Sequence, residues 1–283
     1  MLDREIVSFS KKTNTKFLYN YNLKKLNWFN IGGNTKIYFK PETLQDLTEF
    51  LKLIKEDEKL FVIGAGSNVL FKDDTFEGTV IKLSKNFSRI SMLNENTIIA
   101  GSGVLDKTLS EFASKNSLSG FEFLSCIPGT IGGGIRMNSG CFNSEFKDIL
   151  ISVQAINRLG EVLTISAKDI KFGYRTCNLE KNLIFLSASF KGTKGQKSKI
   201  EQEINNLKTK KEKAQPTRIK TGGSTFKNPI EQTSKKVWEI IKDSVPNTIQ
   251  FGDAIISDKH ANFFINKNNA SYSDMRKLID FVK

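Results

Sequence analysis

The segment Ile219-Lys-Thr-Gly-Gly-Ser-Thr-Phe-Lys-Asn-Pro229 holds the densest chemistry of the chain. Its two glycines let the backbone come close to a ligand, and Pro229 stops a helix from running through. Beside them stand a hydroxyl (Ser224), a cation (Lys227) and an amide (Asn228). That set suits a site that grips an anionic substrate and hands it a proton. The same residue types also build ordinary polar turns, so the segment draws its meaning from what accompanies it.

Two glycine-rich loops accompany it. Gly64-Ala-Gly-Ser-Asn68 follows the hydrophobic run Leu60–Ile63, a placement that can aim successive backbone N–H groups at a pyrophosphate. It is not the dinucleotide fingerprint, because Val69 stands at the third glycine position, and it is not a P-loop, because Gly-Lys-Ser/Thr is missing. The stretch Ser125–Gly140 is denser, with four glycines in the six residues 129–134, directly after Pro128. Its apolar neighbours Phe121, Phe123, Ile127 and Ile131 argue against a flexible linker and for a rigid wall that a ligand approaches closely. Arg136 and Asn138 add polar handles to that wall. In Phe172-Gly-Tyr-Arg-Thr176, Arg175 reads in two ways. It is a surface cation stacked on Tyr174, or a fixed guanidinium that stabilises an oxyanion.

Periodicity supplies the elements that must position these loops. Thr35–Lys40 alternates as a strand and ends at Pro41. Thr43 to about Asp57 reads as a helix, with Leu44, Leu47, Phe50, Leu51 and Ile54 at helical spacing and Thr43 with Asp46 as its cap. Leu60–Ile63 reads as a buried strand, and Thr79–Leu83, Thr97–Ala100 and short runs between Ile149 and Phe190 add more. The polar stretch Lys199–Gln215 reads as a connecting helix. Beyond it come a helix near Lys235–Lys242, strands at Ala254–Ile256 and Asn262–Ile265, and a last helix from Ser271–Asp274 using Met275, Leu278, Ile279 and Val282. The pattern is α+β.

Composition narrows the function classes. The 283 residues, 39% hydrophobic, can bury a sizeable core in about two domains. No apolar run approaches the roughly 18–20 residues that cross a bilayer, and the N-terminus has neither an apolar signal core nor a cleavage site. A cytoplasmic protein without membrane insertion is expected. The net charge of +13 comes from lysines scattered along the chain. That scatter speaks against nucleic-acid binding and for a basic cleft that attracts nucleotide phosphates. Three cysteines and one histidine, His260, argue against a disulfide framework and a metal site. The chemistry falls to Ser, Arg, Lys, Asp or Glu, or to a cofactor.

Taken together, Asn30-Ile-Gly-Gly-Asn34, Gly64-Ala-Gly-Ser-Asn-Val-Leu70, Ile127-Pro-Gly-Thr-Ile-Gly-Gly133, Met137-Asn-Ser-Gly140, Gly173-Tyr-Arg175, Gly222-Gly-Ser-Thr-Phe-Lys-Asn-Pro229 and Lys259-His-Ala-Asn-Phe263 resemble the UDP-N-acetylenolpyruvoylglucosamine reductase family, the flavoenzymes of peptidoglycan synthesis. The match runs from about residue 28 to the C-terminus and looks like the shorter subclass without an inserted tyrosine-bearing loop. The resemblance implies a vanillyl-alcohol-oxidase/PCMH-type FAD-binding lobe over residues 1–197, made of two α+β subdomains, and a smaller α+β substrate-binding lobe over residues 198–283. It implies non-covalent FAD held by Gly64, Ala65, Gly66, Ser67, Asn68, Pro128, Gly129, Thr130, Gly132, Gly133 and Asn138, largely through backbone. It implies an NADPH-dependent enzyme, a UDP-N-acetylmuramate dehydrogenase, that reduces UDP-N-acetylglucosamine enolpyruvate to UDP-N-acetylmuramate and so serves cell-wall synthesis, cell shape and division. Flavin N5 would give hydride to C3, Arg175 would stabilise the resulting anion and Ser224 would protonate C2. Tyr174, Lys227, Asn228 and His260 would contact the nucleotide sugar. A monomer is expected.

The resemblance is incomplete at one point. The family pattern carries a catalytic glutamate on a final strand beyond Lys259-His-Ala-Asn, whereas here no glutamate follows Glu239 and the sequence stops at Lys283. On that ground the substrate lobe is expected to lack the final strand. The alternative reading is a catalytically impaired, C-terminally shortened relative that binds FAD and nucleotide sugar with little turnover. Two further alternatives are an oxidase tethering FAD at Cys126 or Cys141, and a nucleic-acid-binding module.

Overall fold

In the structure, a computed structural model, all residues are described except 1, 14, 56 and 247. The helices are α1 (Leu2–Lys12), α2 (Leu44–Leu53), α3 (Asp106–Lys115), α4 (Ile131–Met137), α5 (Phe146–Ile149), α6 (Lys197–Ala214), α7 (Val237–Ser244) and α8 (Tyr272–Val282). Lys16–Asn22, Asn34–Lys40, Phe76–Ile81 and Leu60–Val62 form a four-stranded sheet in that order, and its last pair is parallel. Val162–Ser166, Leu150–Ile156, Ile184–Lys191, Thr97–Gly101 and Ile90–Asn94 form an antiparallel five-stranded sheet. Thr221–Ser224, His260–Asn266, Ala254–Ser257 and Gln250–Phe251 form a third sheet, also antiparallel.

Contacts divide the chain into two compact units. The first comprises residues 1–19, 37–65 and 78–209; the second comprises residues 20–36, 66–77 and 210–283. Within the first unit, α2 buries Leu47, Phe50 and Leu51 against Ile37, Phe39 and Ile81. The Phe39 and Phe50 rings lie 4.2 Å apart, close enough for a direct ring contact. A second core joins Leu109 and Ala113 of α3 and Ile131 and Ile135 of α4 to Ile98, Val153, Ala188 and Phe190 of the five-stranded sheet. Within the second unit, Met275 and Leu278 of α8 and Ile241 of α7 pack with Phe264, Ile256 and Phe29.

Local signals account for the helix starts. The Thr43 hydroxyl accepts the Asp46 N–H at 3.0 Å while the Asp46 carboxylate accepts the Thr43 N–H at 2.9 Å, a reciprocal cap on α2. Ser271 and Asp274 repeat the arrangement on α8, with both bonds at 3.0 Å. Hydrogen bonds from the Ser271 backbone N–H and hydroxyl hold the Asp274 carboxyl below its ordinary value.

Three expectations need correction. Helix α2 ends at Leu53 rather than near Asp57. Leu60–Val62 is a three-residue strand with Val62 40% exposed, because it lies at the sheet edge and only Ile63 beyond it is buried. The glycine-rich stretch is not loop throughout, since Ile131–Met137 is helix α4, with Ile131 and Ile135 one turn apart supplying the buried face.

Candidate active site

The two glycine loops meet in the first unit. A Cβ on Gly64 would lie 2.2 Å from the Thr130 hydroxyl, so only glycine allows the turn after Leu60–Val62 to touch the start of α4. The wall itself is fastened from behind. The Ile131 N–H donates to Val104 O and the Gly132 N–H to Ser102 O, both at 2.9 Å, and the Asp106 N–H donates to Gly129 O at 3.2 Å. In front, Gly133 is exposed, and a Cβ there would meet nothing nearer than the Thr130 hydroxyl at 3.6 Å. Pro128 is also exposed, while Thr130 is buried. The result is a bare backbone surface, the cradle that a dinucleotide held through main-chain groups requires. In the second unit, Gly66 takes a φ of +70° beside Leu26, and its carbonyl accepts the Trp28 N–H at 3.0 Å. Ala65 and Ser67 are half-buried and Asn68 is exposed.

The two polar handles turn inward instead of toward a ligand. Arg136 donates to the carbonyls of Leu179, Glu180 and Leu183, each at 2.9 Å, and lies over the Phe185 ring at 4.3 Å, so it clamps a neighbouring loop. Asn138 is fully buried in the left-handed conformation at φ 41°. Its amide donates to Glu145 at 2.9 Å and Gly173 O at 3.1 Å and accepts the Lys147 N–H at 3.1 Å. Its side chain therefore braces the wall toward Gly173.

That brace leads to Arg175. This residue has φ 56°, a left-handed conformation that costs a non-glycine residue energy and persists only where the surroundings enforce it. Its guanidinium donates to the carbonyls of Asn138 and Gly140 and lies 5.2 Å from the Tyr174 ring centre. The guanidinium is thus held by two carbonyls beside the Tyr174 ring. A guanidinium has five donors, so N–H groups remain for an anion.

The Ser224 segment lies in the second unit. Thr221 pairs with Ile265 and Ser224 with Phe263, so three steps on one strand match two on the other. This is a bulge, and it puts Ser224 where Gly223 would otherwise pair. The two glycines serve different needs. A Cβ on Gly222 would lie 2.4 Å from the Phe29 ring, whereas Gly223 has open space but a φ of +80°. Ser224 is exposed. Sequence reasoning missed the residue that holds this segment in place. Buried Asn262 donates to Phe226 O and accepts the Phe226 N–H, both at 2.9 Å, and its carbonyl accepts the Thr225 N–H at 2.8 Å. Its place in Lys259-His-Ala-Asn-Phe263 was the available signal. Asn228 accepts the Val237 N–H at 3.0 Å and so caps α7. Lys227 is exposed. His260 is half-buried, 4.8 Å from the Phe263 ring and 5.8 Å from the Trp238 ring, and burial lowers its pKa. Among the described residues there is no metal-ligand cluster and no helix long and apolar enough to cross a membrane.

An α+β fold with a bare glycine-lined wall suits a protein that holds a dinucleotide through its backbone, and the likenesses that follow make the fold that of the vanillyl-alcohol-oxidase/PCMH-type FAD-binding proteins. Residues 35–166 match the model of an FAD binding domain, and residues 215–283 match that of the UDP-N-acetylenolpyruvoylglucosamine reductase C-terminal domain. The chain belongs to the UDP-N-acetylenolpyruvoylglucosamine reductase family of oxidoreductases. It is 62% identical to the curated reductase of Pelagibacter ubique, over 99% of this chain and 92% of that one. It is 45% identical to that of Rickettsia conorii, over 93% of this chain and 88% of that one. The solved structure of the Thermus caldophilus reductase superposes with a TM-score of 0.82 at 28% identity, covering 95% of this chain and 94% of that one.

Proposed function

We propose that this protein reduces UDP-N-acetylglucosamine enolpyruvate to UDP-N-acetylmuramate with NADPH, in the cytoplasm and as a monomer, as a step of peptidoglycan precursor synthesis. The observation that carries the reading is the 62% identity to a curated reductase along 99% of the chain. FAD, when bound, supplies the hydride carrier between NADPH and C3 of the enolpyruvyl group. The flavin is held within residues 1–197 and the nucleotide sugar chiefly within residues 198–283. Gly64, Ala65, Gly66, Ser67, Asn68, Pro128, Gly129, Thr130, Gly132 and Gly133 offer backbone to the flavin nucleotide, and Asn138 holds that surface in shape.

The chain's own residues handle the charge and the proton. Hydride arrival at C3 leaves negative charge on C2 and its carboxylate. Arg175 meets that charge with a guanidinium already locked to the Asn138 and Gly140 carbonyls, so no reorganisation is needed as the charge develops. Ser224 then gives its hydroxyl proton to C2 from the exposed turn that the bulge creates. Tyr174, Lys227 and His260 contact the nucleotide sugar, and Asn228 orders the same surface through its cap on α7. The flavin stays non-covalent, in keeping with a buried Cys126 and a Cys141 thiol that donates to Phe123 O at 3.3 Å.

A steady-state assay tests the reading. The purified protein should consume NADPH only when the enolpyruvyl nucleotide sugar is added, and should form UDP-N-acetylmuramate in equal amount. Consumption that ignores the nucleotide sugar would contradict it.

A further inference from the structure

Helix α3 carries a polar face that the chemistry above does not use. Asp106, Ser110 and Ser114 recur at intervals of four, and Ser102 precedes them. Their residues are 0%, 1%, 4% and 6% exposed, respectively. No protein group hydrogen-bonds to the Asp106 carboxyl oxygens or to the three hydroxyls. An orphaned buried polar atom destabilises the fold, so a row of them needs a partner.

The row has an inner end and an outer end. At the inner end it touches the glycine wall from behind: a Cβ on Gly129 would lie 2.5 Å from Asp106 Oδ2, and one on Gly132 would lie 3.1 Å from Ser102 Cβ. At the outer end Ser114 lines a pocket of about 260 Å³ together with Glu111, Lys115, Glu201, Ile204 and Asn205. Side chains four apart on a helix stand about 5–6 Å from each other. One water with two hydrogen bonds of about 2.8 Å spans that gap.

We propose that α3 carries a file of internal waters, one between successive polar side chains, running from the α3–α6 pocket past Ser114 and Ser110 to the Asp106 carboxyl behind the wall. Each water finds two polar partners, which buried water requires. The file also explains how a carboxyl with no exposed surface exchanges its proton with solvent. Burial raises the Asp106 pKa well above its ordinary value, which favours the neutral, donating form at the inner end. The start of α3 favours the ionised form only modestly, whereas desolvating a full charge costs more. The charged groups nearby do not offset this. Lys107 is exposed, Glu111, Lys115 and Glu201 belong to the outer pocket, and Glu122 accepts the Gly120 N–H at 2.8 Å. Only the wall's service to a flavin rests on the FAD reading.

Unfolding titrations of the full chain, with and without added FAD, test the file. If Ser110 binds waters, Ser110→Ala removes their partner and should raise the unfolding constant about five-fold, the equivalent of about 1 kcal/mol. If the hydroxyl is a bare orphan or bonds back to its own helix, the same change leaves stability equal or raises it, and the file is overturned. Asp106→Asn keeps the donor but cannot titrate. A carboxyl protonated in the fold and ionised when unfolded makes wild type lose stability relative to Asp106→Asn as pH rises through about 4, the unfolded value, up to ten-fold per pH unit until the folded group ionises. Parallel pH profiles would overturn the neutral inner end. Both measurements hold whether or not FAD binds, so a failure of the flavin reading would leave them unaffected.

Discussion

Gly133 and Gly134 are neighbours with opposite demands. A Cβ on Gly134 would lie 2.2 Å from the Phe146 ring, in the middle of a packed core. Gly134→Ala should therefore destabilise the protein by about 1–3 kcal/mol through overpacking. Gly133 faces open space, and alanine is the better helix former by about 1 kcal/mol. Gly133→Ala should leave the FAD-free protein as stable or more stable, yet weaken FAD binding, because its methyl stands on the bare surface. Thermal melts of the FAD-free protein and flavin fluorescence titrations check the pair. Unchanged affinity in Gly133→Ala would remove that residue from the flavin surface. From sequence the glycines were legible as a wall but not distinguishable, since what each one touches depends on residues far along the chain.

At the scale of elements, the bulged strand Thr221–Ser224 depends on its neighbour His260–Asn266. Asn262 holds Phe226 by two side-chain bonds and thereby sets where Ser224 points. Asn262→Ala leaves the half-buried Phe226 N–H without its side-chain acceptor and should cost about 1 kcal/mol of stability. Its turnover number should fall while FAD affinity, held by the other segments, stays near wild type; kcat and a flavin titration on the same preparation check this. Equal loss in both would mean general unfolding instead. Helix caps such as Thr43 with Asp46 were plain in the sequence, because capping is decided within four residues. The bulge was not, because it depends on Gly222 meeting Phe29 and on a register set across two strands. Helix α4 was hidden for a related reason: its glycines are poor helix formers, and only burial of Ile131 and Ile135 secures it.

At the scale of the molecule, the order of motifs along the chain revealed the family, while the compact units did not follow that order. Residues 20–36 and 66–77 cluster with residues 210–283, and no change of composition marks their ends. The central claim is that Ser224 supplies the proton in this reaction. Anaerobic stopped-flow measurement of the two half-reactions in wild type and Ser224→Ala tests it most directly. The account predicts that NADPH reduces the bound flavin at similar rates in both proteins. It also predicts that the enolpyruvyl nucleotide sugar reoxidises the flavin about 10²–10⁴-fold more slowly in Ser224→Ala, the usual loss for one positioned proton donor. Reoxidation at the wild-type rate in Ser224→Ala, or no reoxidation by this substrate in wild type, would contradict it.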